Sequence, residues 1–133
     1  MTYNLNTVVI SNTDQTCSIY CNSISNLQLN RSGSFDLDFG WLSTGESRPV
    51  AIVSWEVSGS PGQIITLSNP TTLIKTSGGI VQADYLNISN STVQPPDTWY
   101  AGANSVNAGN NINWIFANPY DPETSGDFFI MLD

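Results

Sequence analysis

The chain has 133 residues, enough for one domain with its own core. Its formal charge is -8, with only three basic residues (Arg31, Arg48 and Lys75) against eleven acidic ones. It therefore lacks the Lys and Arg cluster that phosphate binding needs, which excludes nucleic acid and anionic membrane surfaces as partners.

Charged residues make up just 11% of the chain, against about 25% in an ordinary soluble domain. Asn, Ser and Thr supply the polarity instead, a balance associated with extracellular and virion proteins. No apolar run has the length of a membrane span, and the start MTYNLNT has no basic region followed by an apolar one, so no signal peptide is visible. The expectation is export by another route, removal of a leader, or release as part of a virus particle.

In chain order, residues 3–10 (YNLNTVVI) read as a first strand, closed by the turn residues Ser11, Asn12, Thr13 and Asp14. Residues 17–29 carry one long or two short strands, with Leu27 and Leu29 on one face. Phe35, Leu37 and Phe39 alternate with Asp36 and Asp38, the period of a strand with one buried and one wet face. Turn residues from Gly40 to Pro49 follow, then a strand with Ala51, Val53, Trp55 and Val57 on one side. Ser58 to Gly62 turns the chain again, and Ile65 with Leu67 opens the next strand. These three strands read as an antiparallel meander whose apolar face needs a second layer.

Thr72 to Lys75 reads as a short edge piece, and residues 80–88 as a further strand. Periodicity then fades from about 90 to 110, which reads as one long loop, functional or used in assembly. Residues 111–117 resume a strand with Ile112, Trp114 and Phe116 on one face, and Asp127 to Leu132 closes the sheet. No helical period and no internal repeat is apparent. Seven to nine short strands with frequent turns predict a single all-β domain over 1–133, an antiparallel immunoglobulin-like sandwich, with a jelly roll as second choice.

The run LDFGWLSTGESRPVAIVSWEVSGSPGQIITL, together with the closing Gly126-Asp127-Phe128-Phe129-Ile130, resembles the β-sandwich subunits of bacterial and archaeal surface fibres. That resemblance implies a non-enzymatic subunit whose first or last strand completes a neighbour's sheet.

Candidate chemistry is sparse. With no histidine, Ser-His and Cys-His couples are excluded. Asp36 and Asp38 project the same way along a strand at about 6.6 Å, a glycosidase-like separation, but alternation alone explains them. Asp121, Glu123 and Asp127 form a calcium candidate in one loop, without EF-hand spacing; the expectation is no metal and no cofactor. Cys17 and Cys21 on one strand face are about 13 Å apart, too far for a disulfide. They bridge only if residues 18–20 turn or if each meets a cysteine of another subunit, and two buried thiols are the simplest reading.

Trp99 and Tyr100, in a Pro-flanked loop, and Trp41, after a strand end, are candidates for an interface or for stacking on glycans; Trp55 and Trp114 read as core. Asn30, Asn87 and Asn90 head glycosylation sequons. Tyr3, Leu5, Val8 and Ile10 form the strand-exchange candidate, since few Lys guard the edges and strands lie near both chain ends. The sequence therefore reads as a non-enzymatic, self-associating structural subunit of an extracellular assembly, a filament or a virion, with homo-oligomeric neighbours. The alternative is a carbohydrate-binding module.

Overall fold

The computed structural model describes residues 3–11, 14–39, 49–67 and 71–119. Twelve strands occur in them: Asn4–Ile10 (β1), Thr16–Ser18 (β2), Ser23–Leu29 (β3), Phe35–Asp38 (β4), Pro49–Glu56 (β5), Ile65–Leu67 (β6), Thr71–Lys75 (β7), Val81–Gln82 (β8), Leu86–Ser89 (β9), Ser91–Gln94 (β10), Trp99–Tyr100 (β11) and Val106–Gly109 (β12). One five-stranded sheet has the order β1-β3-β5-β7-β10, a second β12-β9-β6-β4-β2, and β11 pairs with β8 as a third side. Every pairing between these strands is parallel. The chain thus winds as a β-solenoid of about 5 coils, alternating between the sheets and returning to each one coil further along.

This overturns the antiparallel sandwich, in both its immunoglobulin-like and jelly-roll forms, and with it the fold implied by the surface-fibre resemblance. The supposed meander does not exist: β4 and β5 lie in different sheets, and β6 lies beside β4 in parallel. Alternation with a two-residue period is common to parallel and antiparallel strands, so it does not distinguish them. Parallel neighbours need a connection of a dozen or more residues, and here the rest of each coil is that connection.

Burial follows from in-register stacking. Val50 lies on Leu73 and Leu73 on Val93, while Ile24 lies on Ile52 and Phe35 on Ile65, so each coil adds one apolar rung to a shared core. A single coil is too thin to bury anything; neighbours supply the cover. Within β3 and β5 the inward positions are Ile24 and Leu27, and Ile52 and Trp55, leaving two residues between them instead of one. Both strands share this phase slip because Ile24 pairs with Ile52 and Leu27 with Trp55. In consequence Val50 and Ile52 point inward and Val53 is exposed, the reverse of the expected face for the first half of β5.

The stretch 90–110, expected to be a long loop, contains β10, β11 and β12. Residues 111–117, expected to be a strand, make only single parallel bridges, Thr92 with Ile112 and Tyr100 with Ile115. Ile112 is exposed, whereas Trp114 is buried and Phe116 packs half-buried against the core. β7, expected at an edge, is flanked by β5 and β10. The expected last strand, 127–132, lies outside the described residues.

An aromatic column runs along the interior. Phe39 lies 6.0 Å from Trp55, Trp55 5.7 Å from Trp99, and Trp99 5.3 Å from Trp114, the last two pairs edge to face. Each indole N–H finds an acceptor: Val57 O for Trp55, Gln94 O for Trp99 and Ser91 Oγ for Trp114.

Candidate functional site

The sequence-derived residues scatter over the solenoid. Trp99 is fully buried in the aromatic column and presents no ring face to a ligand, while its neighbour Tyr100 is half-buried. Trp41 and the calcium candidates Asp121, Glu123 and Asp127 lie outside the described residues. Asp36 is exposed on an outward column between Thr16 and Thr66, and Asp38 is half-buried beside Ser18. Among the described residues no three His, Cys, Asp or Glu side chains gather as metal ligands. Cys17 is half-buried and Cys21 buried, both as thiols.

Of the sequon asparagines, Asn30 is exposed. Asn87 has a buried Oδ1, and Asn90 accepts a hydrogen bond from Asn110 Nδ2 at 3.1 Å. The two described cations turn to their own chain. Arg31 lies 4.2 Å over the Phe35 ring and donates to Asp14 O at 2.8 Å. Lys75 Nζ donates to Ser77 O, Ser77 Oγ and Gly78 O at 3.2, 2.8 and 3.0 Å.

A cavity of about 500 Å³ opens between Ser58, Gln82, Asp84 and Asn118. Its carboxylate is already occupied, since Asp84 accepts from Asn104 N at 2.9 Å, Asn104 Nδ2 at 3.0 Å and Tyr85 N at 3.1 Å. These three neutral donors hold the carboxylate in place and leave its negative charge at the cavity wall.

What the fold does bring together is an uncovered edge. β1 is outermost in its sheet and pairs only with β3 among the described residues. It is clipped down at its start: Tyr3 N donates to Asn22 Oδ1 and Ser23 Oγ to Asn4 Oδ1, both at 2.8 Å. Leu5 continues the interior column of Ile24 and Ile52, yet it is 37% exposed. Tyr3 and Val9 are exposed as well, whereas Val8 packs half-buried against the core and Ile10 is buried. Of the strand-exchange candidates, Tyr3 and Leu5 are therefore the exposed ones at the edge, and Val8 and Ile10 belong to the body.

A parallel edge strand keeps one side of its backbone N–H and C=O groups unpaired. The usual guards are lacking in β1, which contains no charged residue and no proline. Sequence reasoning missed Val9 at this edge and the exposed Val106 and Ile112 at the other end of the stack. A signal for them was present: residues 3–13 and 98–119 contain no charged side chain at all.

Comparison of the chain with protein families, curated proteins and solved structures returned no match.

Proposed function

We propose that this chain is a non-enzymatic structural subunit of an extracellular assembly, a filament or a virus particle, and that it self-associates through the edges of its solenoid. The observation that carries this reading is β1, an uncharged outermost strand with Leu5 and Val9 exposed and no guard residue. Because β1 is already paired with β3, a neighbour adding to its free side fits better than an exchange of strands. A composition rich in Asn, Ser and Thr and poor in Lys fits a particle that is meant to pack rather than to stay dispersed. Glycan binding through stacked rings loses Trp99 to the core, and no other observation favours it.

The test is light scattering followed by negative-stain electron microscopy of the full chain. Regular assemblies many times the mass of the subunit are expected. A monodisperse 14.4 kDa particle at high concentration would overturn the reading.

A further inference from the structure

We infer that the cavity beside Asp84 is a binding site for a small organic cation, whose alkylammonium group is held by the Asp84 carboxylate. This goes beyond the structural-subunit reading and does not depend on it. The cavity has a volume of about 500 Å³, and Ser58, Ile80, Gln82, Asp84, Asn118 and Pro119 contribute to its wall. Small-molecule sites occupy about 300–1,000 Å³, so the space suits an organic molecule and is far too large for a bare ion.

The carboxylate is fixed without being neutralised. Its Oδ1 accepts from Tyr85 N at 3.1 Å and Asn104 N at 2.9 Å, and its Oδ2 from Asn104 Nδ2 at 3.0 Å. A carboxylate offers about four lone-pair sites, so Oδ2 keeps one for a ligand. Both described cations are engaged elsewhere, Arg31 at Asp14 O and the Phe35 ring, Lys75 at Ser77 and Gly78. Two uncommon backbone conformations set the carboxylate in this position. Tyr85 has φ +54 and is the one described residue with positive φ that is not Asn, Asp or Gly. A bulky side chain is an outlier there, and the turn aims its N–H at Oδ1. Gly102, with φ +91, leaves the space that Oδ1 occupies, since a Cβ would collide with it. Unfavourable backbone conformations of this kind cluster at ligand clamps.

The rest of the wall selects an ammonium with an alkyl stem. An ammonium has three donors and no acceptor, and the wall is rich in acceptors. Ser58 Oγ accepts from Asp84 N at 3.1 Å and Asn118 Oδ1 from Ala103 N at 3.2 Å, and each oxygen keeps a second lone pair. Gln82 adds the carbonyl of an exposed side-chain amide. Ile80, 44% exposed, and Pro119 supply carbon for the stem to lie against. A calcium ion needs six to eight oxygens, usually from several carboxylates. Asp84 is the single carboxylate among the described residues of this wall, and no three metal-ligating side chains gather among them. Anions are repelled by the same carboxylate, and a chain of net charge -8 draws cations towards its surface.

The experiment is calorimetric titration of the full chain at low ionic strength, which reads binding whether or not the subunits assemble. The titrants are n-butylamine, Nα-acetyl-lysine methylamide, the neutral analogue n-butanol, and calcium chloride. Saturable binding of at least one amine is expected, with none of n-butanol or calcium. Tighter binding of n-butylamine would assign the site to a free amine, and tighter binding of the lysine derivative to a lysine side chain of another protein. Asp84→Asn is the decisive variant, because its Oδ1 still accepts both backbone N–H groups and the Asn104 amide can turn to meet its Nδ2. It should weaken amine binding at least about tenfold, the loss of one charge-assisted hydrogen bond, with a native circular dichroism spectrum. Gln82→Lys, at an exposed position, puts a cation on the wall and should weaken binding likewise if Asp84→Asn fails to fold. No saturable binding of either amine, an equal response to n-butanol, or undiminished binding in the folded variants would overturn the inference. Saturation by calcium in place of the amines would overturn it in favour of a metal site.

Discussion

The Thr71 hydroxyl donates to Ser91 Oγ at 2.8 Å inside the solenoid, one coil above another, and both side chains are buried. The same Ser91 Oγ accepts from Trp114 Nε1 at 2.9 Å, and Ser91 N donates to Asn111 Oδ1 at 3.0 Å. Three successive passes of the chain are therefore joined at one buried hydroxyl. Ser91→Ala leaves two buried donors without an acceptor and should cost about 2–4 kcal/mol in urea unfolding. Thr71→Val keeps the shape and leaves Ser91 bonded to Trp114, so it should cost about 1 kcal/mol or less. Equal losses for the two would show that the hydroxyl is not the junction.

Trp99 touches Trp55 on one side and Trp114 on the other, linking three coils by stacked rings. Trp99→Ala should destabilise the chain by about 3–5 kcal/mol, the cost of a large buried cavity. Trp99→Phe fills most of the space but removes the N–H that Gln94 O accepts, and about 1–3 kcal/mol should be lost. Chemical unfolding followed by circular dichroism measures both, and a neutral Trp99→Ala would be incompatible with its place in the core.

Burial alternation was readable from the residues: Phe35, Leu37 and Phe39 are inside and Asp36 is out, as are their counterparts Ile65 and Leu67 inside. The winding was not readable, because it resides in spacing rather than in residue type. Thr71 and Ser91, and Ser91 and Asn111, lie 20 residues apart, and Asn4 and Ser23 lie 19 apart. Between them Gly33 and Gln63 hydrogen-bond across 30 residues, so longer connections in the middle of the chain break the period. Ser58 to Gly62 looked like a hairpin, and Ser60 and Gln63 do form an antiparallel bridge, but it protrudes between β5 and β6 instead of joining neighbours. Trp99 looked exposed because Pro95, Pro96 and Asp97 precede it; the two-residue strand β11 is too short to show a period. The candidate edge was half legible, through its lack of charge, while which of its side chains face out depended on the register with β3.

Gly102 has φ +91, and a Cβ there would run into the Ala83 carbonyl oxygen and the Asp84 carboxylate. That carboxylate is held by Asn104 and by Tyr85 N, so it has little freedom to yield. Gly102→Ala should therefore cost at least about 2 kcal/mol, from backbone strain and close approach together. Gly78→Ala, with nothing within 4 Å of its Cβ, is the control and should be neutral or slightly stabilising. Melting curves of the two variants decide the matter, and equal melting temperatures would refute the steric account.

Among the described residues, Cys17 carries a clear acid-base signature. Burial pushes its thiol above the ordinary value; nearby Arg31 opposes that shift and Asp14 adds to it. The fold thus favours the protonated thiol. Its contribution to stability is complete below the unfolded-state value of about 8.5, and it is lost as pH rises through the higher folded-state value. The thiolate is the nucleophile, so at pH near 8.5 the folded chain should alkylate at Cys17 more slowly than the chain in urea, as read by peptide mass mapping that separates it from Cys21. Arg31→Gln removes the opposing cation and should slow the folded-state reaction further. Equal rates for folded and unfolded chain would mean that the thiol is not held in its neutral form, and an accelerated Arg31→Gln would reverse the sign assigned to the guanidinium.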